Sequence, residues 1–298
     1  MTDRDVLADR FEEHRGQMRA VAYRMLGSLA EADDAVQEAW LKLSRSDADA
    51  IENLGGWLTT VVGRVCLDML RARTARREEP MEDTFVPDPV IRPLSQADPE
   101  QGVLQADSVG LALLVVLQTL GPDERLAFVL HDMFAVPFDD IAPIVERSSA
   151  ATRQLASRAR RRVQGATPSA DPDLGRQREV LGAFLAASRA GDFEALVALL
   201  HPDAVLRVDA GTLVRGAAVS KVVHGARAVA ENAFAFRQFA KFVRFALVNG
   251  ALGAVTAPEG RPLSVMAVTV ADGRITGMYI LADTERLSRL DLPLDPAS

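Results

Sequence analysis

Hydrophobic residues recur at helical spacing through the first 76 residues of the chain. In the first predicted helix they stand mostly three or four positions apart, at Val6, Leu7, Phe11, Met18, Val21, Ala22 and Met25. Gly27-Ser28 ends this helix, and a second one runs from about Ala30 to Leu43. After a polar stretch from Ser44 to Asn53, Gly55-Gly56 opens a third helix from Trp57 to about Arg77. The pattern predicts a compact helical domain.

The helical period then stops and later returns. Between Arg77 and Asp107 proline accumulates among acidic residues, at Pro80, Pro87, Pro89, Pro93 and Pro99. Proline fixes φ and has no backbone donor, so this stretch is predicted to be a linker, long enough to let two helical domains reorient. Asp107 to Gln164 is helical again, and turn formers from Gly165 to Pro172 mark a second boundary.

The chain beyond Leu174 has the pattern of an α+β domain. A helix at Val180–Arg189 and a shorter one at Phe193–Leu200 come first. The runs predicted as strands are Ala204–Val208, Phe242–Val248, Ala251–Thr256, Leu263–Val270 and Ile275–Leu281. Asp272-Gly273, between the last two runs, is typical of a hairpin turn.

Composition is that of a folded protein without a membrane span. The 298 residues suggest two or three domains, with 48 % hydrophobic and 25 % charged residues. No apolar run approaches the roughly 18 residues that cross a bilayer, and Met1–Asp5 lacks the apolar start of a signal peptide. The single Cys66 cannot form an internal disulfide and is expected to be a small core residue. These features predict a cytoplasmic protein with no membrane partner.

The arginines are clustered although the net charge is −7, from 34 basic and 41 acidic residues. Six arginines and no acid occur between Arg147 and Arg162. A second basic stretch, interrupted only by Asp68, runs from Arg64 to Arg77. Local clusters matter more for phosphate binding than the charge of the whole chain, so both segments are candidates for binding nucleic acid.

Residues 120–163 have the pattern of a helix-turn-helix. A helix that begins at Leu120–Glu124 is followed by a short element, Phe138–Val145, and a turn at Glu146-Arg147. Ser148 can then cap a final helix, Ser149–Val163.

The final helix divides into two faces. At 100° per residue, Ala151, Leu155 and Ala159 face the scaffold, whereas Ser149, Arg153, Ser157 and Arg160 face outward. A recognition helix in the major groove needs this division. A solvated arginine-rich helix is the alternative, and the capped helix-turn-helix arrangement favours DNA binding over it.

Three segments resemble extracytoplasmic-function sigma factors of RNA polymerase, in the order of that family. Glu31–Lys42 resembles their core-polymerase-binding helix, Trp57–Arg71 the helix that follows it, and Leu117–Arg160 their fourth region. The resemblance covers residues 5–164. It implies a sigma factor that binds core RNA polymerase and promoter DNA and directs promoter-specific initiation of transcription.

Three further segments resemble the subgroup of that family with a C-terminal SnoaL-like domain. Phe85–Pro89 resembles the subgroup's linker motif, Tyr279–Leu287 its terminal motif, and Val208–Gly211 a stretch of aspartate followed by glycines. The resemblance implies two all-α sigma domains, the second a helix-turn-helix, joined by the Pro-rich linker, and a C-terminal α+β cone with a curved antiparallel sheet and an apolar mouth. The implied segments are residues 1–78, the linker 79–107, and residues 108–165 and 173–298.

The resemblance also implies roles for individual residues. Core-polymerase binding would use the acidic face of the second helix: Asp33, Asp34, Gln37, Glu38 and Trp40. DNA binding would use Arg64, Arg71 and Arg73 near the −10 promoter element, and Ser149, Thr152, Arg153, Gln154, Ser157, Arg160 and Arg161 at the −35 element. Interdomain regulation would use Phe85, Pro87, Pro89, Asp209, Gly211, Asp283 and Leu287.

Several of these assignments have alternatives. The acids of the second helix would otherwise form a solvated face, Trp40 suits a core as well as an interface, and Leu41 is favoured as a core residue. In relatives the Ser44–Asn53 loop captures a flipped base. Here the loop is acidic, at Asp47, Asp49 and Glu52, and it indicates no base-reading residue.

Two departures from the family fall in the helix-turn-helix. Glu146 stands at a turn position that usually holds glycine, and Pro143 lies inside the short helix, where it removes a hydrogen bond. They affect the fine geometry and the promoter specificity, not the identity of the domain.

Two hypotheses describe the C-terminal domain. In the first it controls the sigma domains within the same chain, tuned by a small-molecule ligand of unidentified structure. In the second it is an enzyme or binding protein that the helical half anchors to DNA, with Asp209, His224 or His201 as the acid–base group. A lone Asp or His in such a cone is more often structural, so the first is favoured, and no catalytic residue, metal or cofactor is predicted.

Overall fold

The structure is a computed structural model that describes residues 3–47, 50–75, 84–96, 110–166, 171–211 and 220–292. Its contacts divide the chain into two compact units. The first joins Met1–Pro80 to Val116–Ala166, and the second joins Met81–Val115 to Thr167–Ser298. None of the helices in the described ranges is both long and apolar enough to span a bilayer.

Apart from one two-residue strand, the regular structure described up to Ala166 is helical. The helices are α1 (Asp3–Leu26), α2 (Leu29–Leu43), α3 (Leu54–Ala75), α4 (Leu111–Gln118), α5 (Pro122–Phe128), α6 (Phe138–Ile141) and α7 (Ser149–Ala166), with one π-helical turn at Val129–Met133. The glycines expected to precede α3 lie in its first turn instead. Asn53 explains the earlier start, because its Oδ1 accepts a hydrogen bond from the Gly56 N–H at 3.0 Å.

Helices α1, α2 and α3 enclose a core of large apolar side chains. Its fully buried members include Met18, Met25, Leu43, Leu58 and Leu67. Cys66 lies in the same core with no exposed surface, which confirms its expected structural place. Burial raises the pKa of its thiol well above the ordinary range, so the thiolate needed for reactivity does not form.

Helix α5 packs on α3 at a glycine. A Cβ atom at Gly63 would stand 3.1 Å from Leu130 Cδ1 and 3.2 Å from Leu126 Cδ1, so any other residue there would require these leucine side chains to shift by a few tenths of an ångström. The helices that resemble the two sigma regions are therefore in direct contact within the first unit.

Arg125 of α5 joins the ends of other helices. It is 4 % exposed, and its Nη1 donates to the Met25 carbonyl of α1 and to Gln118 Oε1, both at 2.7 Å. Its Nη2 donates to the carbonyls of Gln118 and Leu120 at 2.8 and 3.2 Å. Burial, and secondarily Arg73, lowers the pKa of Arg125 to about 10, which leaves the group protonated at neutral pH.

The second unit is a seven-stranded sheet with helices. Its strands are β1 (Ile91–Arg92), β2 (Leu200–Asp209), β3 (Lys221–His224), β4 (Val243–Val248), β5 (Ala251–Thr256), β6 (Ser264–Ala271) and β7 (Arg274–Leu281), and its helices are α8 (Leu174–Ala190), α9 (Phe193–Ala198), α10 (Ala226–Ala235) and α11 (Thr284–Ser288). The strand order is β1-β4-β5-β6-β7-β2-β3. Side chains of α8, α9 and α10 form one apolar core with the sheet, around Leu181, Phe184, Leu206, Val268 and Met278.

The expectation of an antiparallel sheet was wrong at one position. Strands β2 and β7 run parallel, with Leu206 opposite Met278, whereas the other neighbouring pairs are antiparallel. The β4–β7 meander ends beside β2, and local alternation does not reveal which strand will be a neighbour. The hairpin at Asp272-Gly273 is confirmed, since both residues have the positive φ (50° and 72°) of a tight hairpin turn.

The segment predicted as a free linker belongs in part to the sheet. Ile91 and Arg92 pair with β4, and a short 3-10 helix follows at Leu94–Gln96. Strand β3 and helix α10 were also not predicted. Two and four residues are too short for alternation to be recognised, and the alanines of α10 make a weak hydrophobic stripe.

The two departures in the helix-turn-helix have structural consequences. Glu146 adopts a left-handed conformation with φ of 55°, the region that glycine occupies without a steric penalty. Pro143 does not lie inside the short helix as expected, because α6 already ends at Ile141. The chain then continues through turns in which Arg147 N donates to the Ala142 carbonyl.

Replacing Glu146 by glycine is expected to stabilise the helix-turn-helix by about 0.5–1 kcal/mol, because it removes the left-handed strain. Amide hydrogen exchange of α7 in the full chain measures the opening free energy. The control, Glu13→Gly at an exposed position inside α1, should lower the opening free energy of α1 by about 1 kcal/mol. Loss of stability in both variants would contradict the strain at position 146.

Candidate polymerase and DNA interfaces and the linker clamp

The acidic face of α2 borders a cavity. Asp33, Asp34 and Gln37 are exposed on this helix. Together with Trp40 they line a cavity of about 380 Å³ between α1 and α2, whose α1 wall includes Phe11. The Trp40 and Phe11 rings meet edge to face with centroids 5.0 Å apart. Trp40 is thus half-buried, with part of its ring left at the surface.

The acids of this face are only weakly restrained. Asp33 accepts a hydrogen bond from Arg19 at 2.8 Å, and Glu38 lies 3.4 Å from Lys42 one turn later. Both pairs are about half exposed, so water and salt screen them and a partner's cations can replace them. Leu41 was expected in the core, but it is 38 % exposed because α2 turns it away from α1 and α3.

Helix α7 presents an outward face of polar side chains that contact the preceding elements. Ser149 donates to Asp139 at 2.5 Å, and the Arg160 guanidinium donates twice to Asp132, at 2.8 and 2.6 Å. The Arg153 guanidinium lies 5.4 Å from the centre of the Phe138 ring. The helix is capped as predicted, with Ser148 Oγ accepting from the Ala151 N–H at 3.2 Å.

The inner face of α7 differs from the predicted one by about one position. Thr152, Ala156 and Ala159 are its buried residues, and Leu155 is half-buried. Thr152, expected to contact DNA, has no exposed surface, and its hydroxyl donates to the Ser148 carbonyl at 3.0 Å. The prediction for Thr152 was therefore wrong, because spacing alone did not distinguish a small polar residue from a small apolar one. The remaining exposed candidates are Arg153, Gln154, Ser157 and Arg161.

The three arginines proposed for α3 differ in their surroundings. Arg64 is exposed. Arg71 donates to Asp123 of α5 at 3.0 Å, and Arg73 donates to Glu31 of α2. In the loop before α3, Asp47 and Glu52 are exposed, and Asp49 lies outside the described residues.

The linker motif is held by one arginine of α11. Arg286 donates to Asp88 Oδ1 through Nε and Nη2, at 2.8 and 2.5 Å, and to the Val86 carbonyl at 2.6 Å. Its Nη1 donates to Asp209 Oδ2 at the end of β2, at 2.7 Å. The guanidinium also lies 4.9 Å from the centre of the Phe85 ring. We call this group of contacts the linker clamp.

The rest of the motif is buried around the clamp. Pro87 and Pro89 are buried, and the Val86 N–H donates to Asp209 Oδ2 at 3.0 Å. Gly211 follows Asp209 with φ of 70°, and a side chain there would collide with the Asp283 carboxylate. Asp283 caps α11, accepting from the Glu285 N–H at 2.9 Å, while Leu287 is buried.

The acid–base candidates are not brought together. The Asp209 carboxylate accepts from Arg286, from Val86 N and from Gly211 N, so its oxygens serve the clamp. His224 pairs with Val205, which is four residues from Asp209 along β2, or about 13 Å. His201 is on the same strand, near its start, with Nδ1 accepting from Asp203 N. Apolar side chains of the domain itself occupy the helix-facing side of the sheet. A ligand of the C-terminal domain stays a prediction.

Sequence reasoning missed the two arginines that organise the units, Arg125 and Arg286. Their partners lie up to 100 and 200 residues away in the chain. The signal for Arg286 was its place in the Tyr279–Leu287 segment that resembles the terminal motif, and the signal for Asp88 was its place in the Phe85–Pro89 segment that resembles the linker motif.

Comparisons with known proteins match the two helical segments to sigma-factor regions. Residues 10–76 match the family model of Sigma-70 region 2, and residues 110–163 match that of Sigma-70, region 4. The ECF RNA polymerase sigma factor SigJ of Mycobacterium tuberculosis is 41 % identical over 296 residues, covering 93 % of this chain and 92 % of SigJ. A probable ECF sigma factor of the same organism, SigI, is 33 % identical over 291 residues, covering 97 % of this chain and 98 % of SigI.

The likeness extends to the fold of the whole chain. The crystal structure of SigJ matches with a TM-score of 0.74 at 36 % identity, covering 97 % of this chain and 100 % of that one. Two helical sigma domains followed by a domain with a mixed sheet are common to both, which confirms the predicted fold class. The chain therefore belongs to the extracytoplasmic-function sigma factors, the subunits that bind core RNA polymerase and direct promoter-specific initiation of transcription.

Proposed function

We propose that this sigma factor is regulated by its own C-terminal domain through the linker clamp. Residues 1–78 bind core polymerase and the −10 element, residues 108–165 bind the −35 element, and residues 173–298 set the position of linker 79–107. The observation that carries the regulatory part is the Arg286 side chain with its two carboxylates, Asp88 from the linker and Asp209 from the sheet. A cytoplasmic site of action follows from the location of polymerase and chromosome.

The clamp suits this role because it joins the linker to the regulatory domain by charge. The Arg286, Asp88 and Asp209 side chains are 20 %, 11 % and 10 % exposed, so water screens the attraction between the guanidinium and the two carboxylates only in part. A domain fused to the chain acts at high effective concentration, and modest contacts then suffice to hold the linker in one arrangement. Catalysis has no comparable support, since Asp209 is occupied by the clamp.

Core polymerase is proposed to dock on the acidic α2 face, with the half-buried Trp40 as its apolar centre and the buried Phe11 ring packed against it. A half-buried aromatic residue beside weakly paired acids has the composition of an interface anchor with a charged rim. Exposed DNA-binding candidates occur on α3 and on α7, as the two promoter elements require.

Reversing two charges on α2 is expected to abolish assembly with core polymerase. The variant is Asp34→Lys with Glu38→Lys, which places repelling charges where steering and pairing should occur. Co-purification with core enzyme measures assembly. The control reverses two exposed acids of the C-terminal domain, Glu179→Lys with Glu194→Lys, and should assemble normally. Normal assembly of the α2 variant would show that the docking face lies elsewhere.

Removing Arg153 is expected to cost about 1–3 kcal/mol of discrimination at one promoter position, as loss of a base contact does. Arg161→Ala should weaken binding evenly across sequences and reduce the salt dependence, as loss of a phosphate contact does. Binding to a set of single-base-pair promoter variants separates the two patterns. Equal, sequence-blind losses from both would mean that Arg153 contacts phosphate.

Breaking the clamp is expected to free the linker and change transcription. Arg286→Ala should lower the opening free energy of residues 85–92 by about 3 kcal/mol in amide hydrogen exchange, because the linker loses its hydrogen bonds to the guanidinium and the charge that joins Asp88 to Asp209. Run-off transcription at equal core occupancy should change several-fold: an increase identifies the clamp as a restraint, a decrease as part of the active arrangement.

The control for the clamp is Arg289→Ala in the same helix. Within the described ranges Arg289 pairs with the exposed Glu285 one turn earlier, so this variant should leave both measurements nearly unchanged. Release of the linker in Arg286→Ala without any change of activity or promoter choice would refute regulation through the clamp. This point variant is sharper than deleting residues 172–298, which would also expose the buried linker.

A further inference from the structure

Asp123 in the first turn of α5 lies between two arginines of the proposed DNA-binding surface. Its Oδ1 accepts from Arg71 Nη2 at 3.0 Å, and its Oδ2 lies 3.8 Å from Arg147 Nη2. Arg71 belongs to α3, and Arg147 to the turn before α7. The Asp123 side chain is 24 % exposed, less than the side chains of Arg71 and Arg147 at 39 % and 58 %.

Packing of the two helices produces this contact. The close approach of α5 to α3 at Gly63 brings the start of α5 beside the last turns of α3, where Arg71 lies. Other acids of the helix-turn-helix pair with arginines of the same region, as Asp132 does with Arg160. Asp123 differs because its partner Arg71 is 52 residues away, on the other sigma region.

We propose that Asp123 is an internal competitor for DNA phosphate. A carboxylate and a phosphate present oxygens of the same geometry to a guanidinium, so one replaces the other without new side-chain chemistry. While α5 rests on α3, Arg71 and Arg147 are neutralised and add little to the positive field that attracts DNA. Promoter DNA that displaces the carboxylate recovers both charges. The inference rests on the proposed function of the α3 basic surface in DNA binding.

The ion pairs of Asp123 are weak enough for DNA phosphate to replace the carboxylate. A partly exposed ion pair of this kind is weak enough for phosphate to replace it, so the competitor reduces affinity without preventing binding. Nonspecific DNA makes few other contacts with the protein, so its affinity is lowered by the whole free energy of displacing the carboxylate. A matched promoter offsets it with base contacts, so the competitor raises the ratio of specific to nonspecific affinity.

The test compares Asp123→Asn with Asp140→Asn in the full chain without core polymerase, the state in which α5 rests on α3. Both changes remove one negative charge from the first turn of a helix in the same domain, and Asp140 is exposed. Fluorescence anisotropy with promoter and nonspecific duplexes measures affinity at several salt concentrations. We expect Asp123→Asn to tighten nonspecific binding about two- to fivefold more than Asp140→Asn. Its salt slope should increase by about one for each arginine released.

A double-mutant comparison ties any gain to the arginines. Arg71→Gln should have little effect beside the native Asp123 and a larger effect in the Asp123→Asn background, where Arg71 is available to phosphate. Equal effects of Asp123→Asn and Asp140→Asn would overturn the proposal, as would a gain that persists when Arg71 and Arg147 are both glutamine. Failure of the proposed function would appear differently, as promoter binding by the holoenzyme that is insensitive to Arg64, Arg71 and Arg153 alike.

Discussion

A buried guanidinium needs acceptors for its donors, and the two Nη groups of Arg125 find them at the ends of α1 and α4 and in the turn that follows α4. The last carbonyls of a helix have no partner inside the helix. Arg125 supplies donors to such carbonyls at Met25 of α1 and Gln118 of α4, and to Leu120 in the turn that follows. The neighbouring α3 contributes the complementary constraint, a glycine where α5 must come close. The arrangement of the two sigma regions in the first unit depends on these features.

In the second unit, the buried linker segment also needs partners for its polar groups, and prolines and Arg286 reduce or satisfy that need. A linker that crosses a folded surface normally leaves backbone donors without partners, which is costly once they are buried. Here Pro87 and Pro89 have no N–H to satisfy, and the N–H groups of Val86 and Val90 donate to Asp209 and Asn249. Arg286 then supplies donors to the Val86 carbonyl and to Asp88. In the sequence the prolines indicate a flexible spacer. In the fold they permit the segment to be buried, because proline has no N–H group that needs a partner.

This difference marks the limit of what the sequence could predict. Periodicity located α1, α2 and strands β4 to β7 because each has a run long enough to express its period, and the Asp272-Gly273 turn carried its own signal. Periodicity could not predict which elements become neighbours in the fold. The parallel β2–β7 pair, the two-residue β1 and the partners of Arg125 and Arg286 all depend on contacts between distant residues. For the site, motif resemblance located the α2 and α7 faces. It could not show that Thr152 points inward, because a shift of the buried face by about one position is hard to detect when the residues are small.

The internal pairing of arginines connects the acidic composition with a DNA-binding role. On the proposed DNA surfaces, Arg160 pairs with Asp132, Arg162 with Glu124, and Arg71 with Asp123. Binding DNA therefore exchanges carboxylates for phosphates instead of neutralising bare cations, so the net electrostatic gain per contact is smaller than the arginine count suggests. Genomic DNA offers a great excess of nonspecific sites, where phosphate contacts are the main source of affinity. On the proposed DNA-binding surfaces, compensated arginines would reduce that background and leave base contacts and the polymerase to determine where the protein binds.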